Sequence, residues 1–412
     1  MRNYVTSREA IALLDVKLQT LYAYVSRGLI HSAPVNDGSK ERLYLRADIE
    51  KLRLRAEARS GHGAVAADAM HYGQPVITSE ITELTADGPR YRGYLATDLA
   101  ESVLFENVAR LLWTGTLDVA VATTPQPHPL PSNIDVLCRD IYARYGNNSI
   151  LRLFATYVFA CGMDEPDTGH QLAALRLMYG LTGFFGYLGP RKHYRAPEPG
   201  ESIAQAVLHA CGLDCDEVRV RALNAALVIL ADYELASATF VARVAASSGA
   251  DINACIVAAI ESSSGWVVEH RRVERLLDSV TSEAELKARL EPFRDGGDLP
   301  PGFQPNLYAS HDPRTAPLLD LARRGRHAYV TDSVTAFLAG EAERVGLHAK
   351  AMLGLEVFAR AMNLPRGAVP GVFLLARTAG WVAHILEQYT SDTPLRPRAK
   401  FVSDPNRVGR FS

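Results

Sequence analysis

Few residues in this chain could do chemistry on spacing alone. Cys211 and Cys215 stand four apart, a ligand-like interval, but no second pair completes a tetrahedral zinc site, so no metal centre is expected. With Cys138, Cys161 and Cys255 they make five thiols, sparse and odd in number, which suits reduced cysteines in a cytoplasmic protein. Residues 1–60 hold eleven Lys/Arg against seven acids, so this segment carries +4 and the remainder −6 of a formal net charge of −2. A near-neutral whole excludes a protein that coats nucleic acid or anionic membrane over all its surface, while the basic segment suits local phosphate contacts.

The elements that must position that basic segment follow from its pattern. Ser7 to Val16 reads as a short helix with Ser7 as N-cap, and Ile11, Leu13 and Leu14 as its buried side. Leu18 to Arg27 follows, with Leu18, Leu21, Tyr22 and Val25 at helical spacing and Gly28 as the residue that ends it. Asn36-Asp37-Gly38 is a hairpin signal, Arg42 to Leu45 the returning strand, and Asp48 the cap of a basic helix from Ile49 to Arg59. Helix, turn, helix, wing, helix is the order of a winged DNA-binding module. The words TSREAIALLDVKLQTLYAYVSRGLI and ERLYLRADIEKL resemble the excisionase/MerR-like helix-turn-helix group. That resemblance implies Lys17, Gln19, Thr20 and Tyr24 near a DNA groove and Arg27, Arg42 and Arg46 near phosphates. Such modules also serve as dimerisation or docking elements, and both roles stay open.

Residues 60–66 form a small-residue linker, and beyond it nearly everything reads as helix, including 103–113, 134–144, 150–162, 217–246, 350–362 and 367–389. There is no βαβ alternation and no repeat, so an all-α architecture is predicted. No apolar run approaches the roughly 20 residues of a membrane span. The opening MRNYVTSREA lacks the apolar core of a signal peptide.

Four blocks carry a second resemblance. They are Tyr91-Arg92-Gly93-Tyr94 with Phe105-Glu106-Asn107-Val108-Ala109-Arg110; Asp232-Tyr233-Glu234-Leu235 through Arg243; Leu307-Tyr308-Ala309-Ser310-His311-Asp312-Pro313-Arg314; and Ala376-Arg377-Thr378-Ala379-Gly380-Trp381-Val382-Ala383-His384, followed by Arg396. In order and over most of the chain, they resemble the citrate synthase family. The resemblance implies an almost wholly helical two-domain homodimer over residues 67–402, with a small domain at about 210–315, behind a helix-turn-helix domain at 1–60.

It also implies a reaction: an aspartate enolises a thioester, one histidine steadies the enolate oxygen, a second polarises the oxaloacetate carbonyl, and arginines clamp carboxylates. The aligned positions carry Val268, Pro305 and Met352, none of which can perform those roles. The glycine loop is rebuilt as Ser264-Gly265-Trp266-Val267-Val268-Glu269-His270-Arg271-Arg272, about two residues short before Val273. Possible substitutes are His270, His311 and Glu356, the last four residues beyond Met352 on the same helical face. Tyr233 stands where the family places a carboxylate-binding histidine. Arg314, Arg377 and Arg396 stand where it binds carboxylates, Arg396 from the other subunit. Those arginines could alternatively persist as structural ion pairs.

Negligible citrate synthase activity is therefore expected. Three readings follow. One is a carboxylate-binding regulator or pseudoenzyme, a homodimer without cofactor. Another is a diverged enzyme acting on a carboxylate or coenzyme A thioester, with Trp266, Glu269, His270, His311 and Glu356 as working residues. The third is a partner subunit of an active citrate synthase.

Overall fold

The computed structural model describes residues 4–14, 16–34, 42–46, 48–49, 52, 77–118, 130–162, 169–278, 280–293, 300–305, 312–325, 328–338, 347–391 and 394–397. The expected helix over 49–59 and the linker at 60–66 fall mostly outside these residues.

At the N-terminus, β1 (Tyr4–Val5) precedes α1 (Ser7–Leu14) and α2 (Leu18–Ser26), and β2 (Ser32–Pro34) pairs antiparallel with β3 (Arg42–Leu45). β1 completes the sheet in the order β1-β3-β2, a strand the sequence pattern did not announce. Thr6, not Ser7, caps α1: its hydroxyl accepts Glu9 N–H at 3.3 Å, and Glu9 accepts Thr6 N–H at 2.8 Å, a reciprocal capping box. Gly28 ends α2 with φ 69°. Val5, Ala10, Leu21, Ile30, Tyr44 and Ile49 close a small core of their own. Asp48 accepts both the backbone N–H of His31 (2.7 Å) and a contact with its ring Nδ1 (2.7 Å), a tie across 17 residues in place of the simple helix cap expected of it.

The larger body opens on a meander of β4 (Thr82–Thr85), β5 (Gly88–Tyr91) and β6 (Tyr94–Leu95), and is mostly helical thereafter. In chain order come α3 (Ala96–Ser102), α4 (Phe105–Thr114), α5 (Ser132–Tyr145), α6 (Ile150–Cys161), α7 (His170–Thr182), α8 (Ile203–Cys211) and α9 (Glu217–Ile229). They continue as α10 (Ser237–Ser247), α11 (Ile252–Ser262), α12 (Ser264–Leu277) and α13 (Glu283–Leu290). After β7 (Phe303–Pro305) come α14 (Thr315–Ala322) and α15 (Ala328–Phe337), then β8 (Leu347–Ala349), α16 (Ala351–Ala361) and α17 (Ala368–Tyr389).

Three expectations are corrected. The stretch 217–246 is not one helix: it breaks between α9 and α10, where Glu234 takes φ 51° and Asp232 Oδ2 accepts its N–H at 3.0 Å. The rebuilt segment at 264–272 is no loop but the first half of α12. Past Gly265 it holds no glycine or proline, and Val267, His270, Val273 and Leu277 bury one face at three- and four-residue spacing. Finally, α17 is 22 residues long and apolar enough to cross a bilayer, yet 89% of its most apolar window is buried within the protein. It is a core helix. Trp381 is fully buried on it, and Trp113 Nε1–H donates to Ala379 O at 2.9 Å.

Candidate functional site

A helix buried on nearly every side has no water to solvate its polar groups, so a polar group there is costly unless it finds a partner within the protein. Along α17, Arg377, Gly380, His384 and Gln388 recur at three- and four-residue steps and therefore share a face. That face meets the break between α9 and α10. Gly380 makes the approach possible: its N–H donates to Ala231 O at 3.1 Å, and a Cβ there would collide with Asp232 Oδ1 and Ala231 O.

Asp232, fully buried, is the hub of the cluster. Its Oδ1 lies 3.1 Å from Arg377 Nη1 and its Oδ2 3.2 Å from His384 Nε2. Burial by itself would raise this carboxyl, but Arg377 and His384 override it and hold it far below the usual carboxylate range. Arg377 also donates through Nη2 to Thr239 Oγ1 at 2.6 Å. Burial and neighbouring Arg314 draw the Arg377 guanidinium down, against the pull of Asp232.

Arg314 sits at the foot of α14. Asp312 grips it with both oxygens, Nε–Oδ1 at 3.0 Å and Nη2–Oδ2 at 2.9 Å, and Asp312 Oδ2 accepts Ala351 N–H at 3.0 Å. The Tyr233 ring lies over the guanidinium, 3.5 Å from its carbon to the ring centroid. Burial would raise Asp312, but Arg314 and these hydrogen bonds lower it. Two cations and two anions thus stand in one buried group, its parts fixed before any ligand arrives. Tyr233, Arg314 and Arg377 come together here, whereas Arg396 lies exposed beyond α17. Asp312 stands as the ion-pair partner of Arg314, and Asp232 and His384 complete the group. From the sequence no role is assigned to Asp232 or His384, although a charged residue inside an apolar run implies a buried partner.

The three positions where the resemblance places reacting groups also lie on converging elements. β7 pairs with β8 (Phe303 opposite Ala349), Lys350 N–H donates to Gly302 O at 2.9 Å, and a Cβ on Gly302 would press on Val273 and Leu353. Val268 is 57% exposed on α12, Met352 is buried in α16, and Pro305 ends β7. Beside them Lys350 Nζ lies 2.6 Å from Glu269 Oε1.

Of the possible substitutes, two meet and one falls outside the described residues. His270 Nε2 is 2.8 Å from Glu356 Oε2, and Arg360 Nε donates to Glu356 Oε1 at 2.7 Å. The pair is sealed, however, with His270 2% and Glu356 4% exposed. Trp266 stacks on the His270 ring at 5.7 Å and 5°, and Phe373 stacks on Trp266 at 4.0 Å and 7°. His311 is not among the described residues.

In the N-terminal unit Lys17, Gln19, Arg27 and Arg42 are exposed. Tyr24 instead packs partly buried on the small core, as the helical turn that buries Leu21 requires, and Tyr22 is the exposed aromatic at 53%. Arg42 is engaged in its own sheet, donating through Nε to Ser32 Oγ at 2.9 Å.

The helical body, its buried arginine–carboxylate group and the order of its elements can be set beside known proteins. Residues 70–398 match the model for the citrate synthase C-terminal domain. The chain belongs to the citrate synthase family. It is 28% identical over 344 residues to a putative citrate synthase 2 of Mycobacterium tuberculosis, covering 80% of this chain and 91% of that one. It is 27% identical over 340 residues to a 2-methylcitrate synthase of the same organism, covering 77% and 85%. Among solved structures, the citrate synthase of Thermoplasma acidophilum, in ternary complex with carboxymethyl coenzyme A and oxaloacetate, superposes with a TM-score of 0.70 at 19% identity. That superposition covers 82% of this chain and 97% of that one, and shows the citrate synthase fold.

Proposed function

We propose that this citrate synthase family member binds a small di- or tricarboxylate without condensing it, and acts as a cytoplasmic homodimeric regulator through residues 1–60. The observation that carries this reading is a contrast within one molecule. The buried Arg314 and Arg377 are held rigid by Asp312, Asp232 and Thr239, with Tyr233 over Arg314. The positions aligned with the reacting groups carry Val268, Pro305 and Met352. Guanidinium forks already oriented lose little entropy on meeting a carboxylate. An apolar or cyclic side chain, by contrast, can neither take nor give the proton that enolisation requires. Loss of residues that act as a unit is strongly non-additive, so retaining one would not preserve the rate.

A second reading, a diverged enzyme acting on a coenzyme A thioester, has one observation in its favour: the His270–Glu356 contact at 2.8 Å. Both side chains lie under Trp266 between α12 and α16, and Arg360 holds the second Glu356 oxygen, so the pair has the partners of a tie between helices.

Thiol release from acetyl- and propionyl-coenzyme A with oxaloacetate, beside calorimetric titration of oxaloacetate, tests the proposal. Binding without thiol release is the expected outcome. Turnover near that of an active citrate synthase would overturn it.

A further inference from the structure

The arginine–carboxylate group does not end at Asp232. His384 Nδ1 lies 3.3 Å from Arg243 Nη1, and a guanidinium has only donors, so Nδ1 must be the acceptor. The ring proton of the neutral tautomer then sits on Nε2 and points at Asp232 Oδ2, 3.2 Å away. The same Nη1 also donates to Glu387 Oε2, while Arg243 Nε donates to Gln388 Oε1 at 3.2 Å. The other oxygen of Glu387 accepts the backbone N–H of Glu80 at 2.9 Å and the hydroxyl of Ser79 at 3.3 Å. An unbroken run of hydrogen bonds and ion pairs therefore leads from Arg377 through Asp232, His384, Arg243 and Glu387 to the backbone at Ser79–Glu80. There the chain enters β4 from the side of residues 1–76.

We infer that Arg243, His384 and Glu387 are positioning residues that hold Asp232, and through it Arg377, and that this run couples the carboxylate-binding group to the chain at Ser79–Glu80. The inference rests on the carboxylate-binding reading for its ligand, but the relay itself stands on the geometry. Arg243 and His384 are 2% and 0% exposed, so neither can exchange its partner for water without the site opening. Glu387 is one residue gripping two elements, so a shift of Arg243 is felt at the Glu80 amide. A ligand carboxylate that draws Arg377 away from Asp232 changes the load on every later bond, and coupling of this kind is reciprocal.

The test is hydrogen exchange of the full-length protein, read in a peptide spanning 77–84, with a peptide spanning 132–145 of α5 as internal reference. Arg377→Lys, at the far end of the run, is expected to speed exchange at Glu80 by roughly ten-fold, the scale of one weakened hydrogen bond, with the α5 peptide unchanged. Arg243→Met is expected to do the same and to shift the ¹⁵N resonances of His384 away from the pure Nε2–H tautomer. Unchanged exchange at Glu80 in Arg377→Lys overturns the inference, as does acceleration shared equally by α5. Oxaloacetate separates the two proposals. Heat of binding without faster exchange at Glu80 leaves the carboxylate site standing and removes the coupling. No heat of binding, with the Arg377→Lys effect present, removes the carboxylate reading and keeps the relay.

Discussion

At the scale of single residues, the central fact is that every buried charge described around Asp232 has a fixed counterpart. A pair of this kind adds little net stability when intact, yet breaking it is expensive because the survivor stays buried and uncompensated. Asp232→Asn is therefore expected to cost about 3–5 kcal/mol in urea unfolding. The pH dependence follows from the same group. Asp232 and Asp312 are lowered in the folded protein, so between the folded value and the ordinary value near 4 the unfolded chain binds more protons. Their contribution is complete above that ordinary value and is lost as pH falls through the folded one. Urea midpoints measured from pH 7 down to pH 3 are expected to fall on the acid side in the native protein, and to fall less steeply in Asp232→Asn.

At the scale of elements, α12 and α16, with the residues that flank them, are bound by a ladder of polar ties. Lys350 meets Glu269, and Glu356 meets His270. Arg360 reaches Leu277 O at 3.1 Å and Glu274 O at 2.8 Å, and Arg366 reaches Glu274 and Asp278 at 3.1 and 3.0 Å. The same ladder explains why the segment at 264–272 is helical: its polar residues are spaced to meet a neighbouring helix rather than to open a glycine loop. If the His270–Glu356 contact is such a tie, Glu356→Ala should cost about 3 kcal/mol. The double change His270→Leu with Glu356→Leu should recover most of that loss, because an apolar pair fills the gap without leaving His270 unpaired and Arg360 keeps Leu277 O and Glu274 O. Denaturation of the two variants side by side checks this: stability regained in the double variant supports a tie between helices, and a double variant as unstable as Glu356→Ala counts against it.

At the scale of the whole molecule, the proposal joins two units with separate cores. The basic N-terminal unit exposes Lys17, Gln19, Arg27 and Arg42, and turns Tyr22 outward in place of Tyr24. If it binds DNA, affinity measured by fluorescence anisotropy should fall steeply with salt, and Lys17→Ala should reduce the slope of log K against log salt by about one. An affinity that is weak at low salt and insensitive to Lys17 would point to docking or dimerisation instead.

Much of this was legible in the sequence because it rests on local periodicity. The apolar faces of α4, α6, α16 and α17 repeat at helical spacing, and glycines such as Gly28 mark ends that only a left-handed residue can make. The four spaced blocks pointed to the citrate synthase fold, and they brought Tyr233, Arg314 and Arg377 to notice before their partners were known. The sequence could not tell whether those arginines were free or paired, since Asp232 and Arg377 are 145 positions apart and meet only when α17 packs on the α9–α10 break. Nor could it show that His270 and Glu356 touch, or that Glu387 ties α17 to Ser79–Glu80 across some 300 residues. Periodicity is set by each residue's near neighbours along the chain and can be read there. The pairing of buried charges is set by which helix faces share a core, and that was decided only by the tertiary structure.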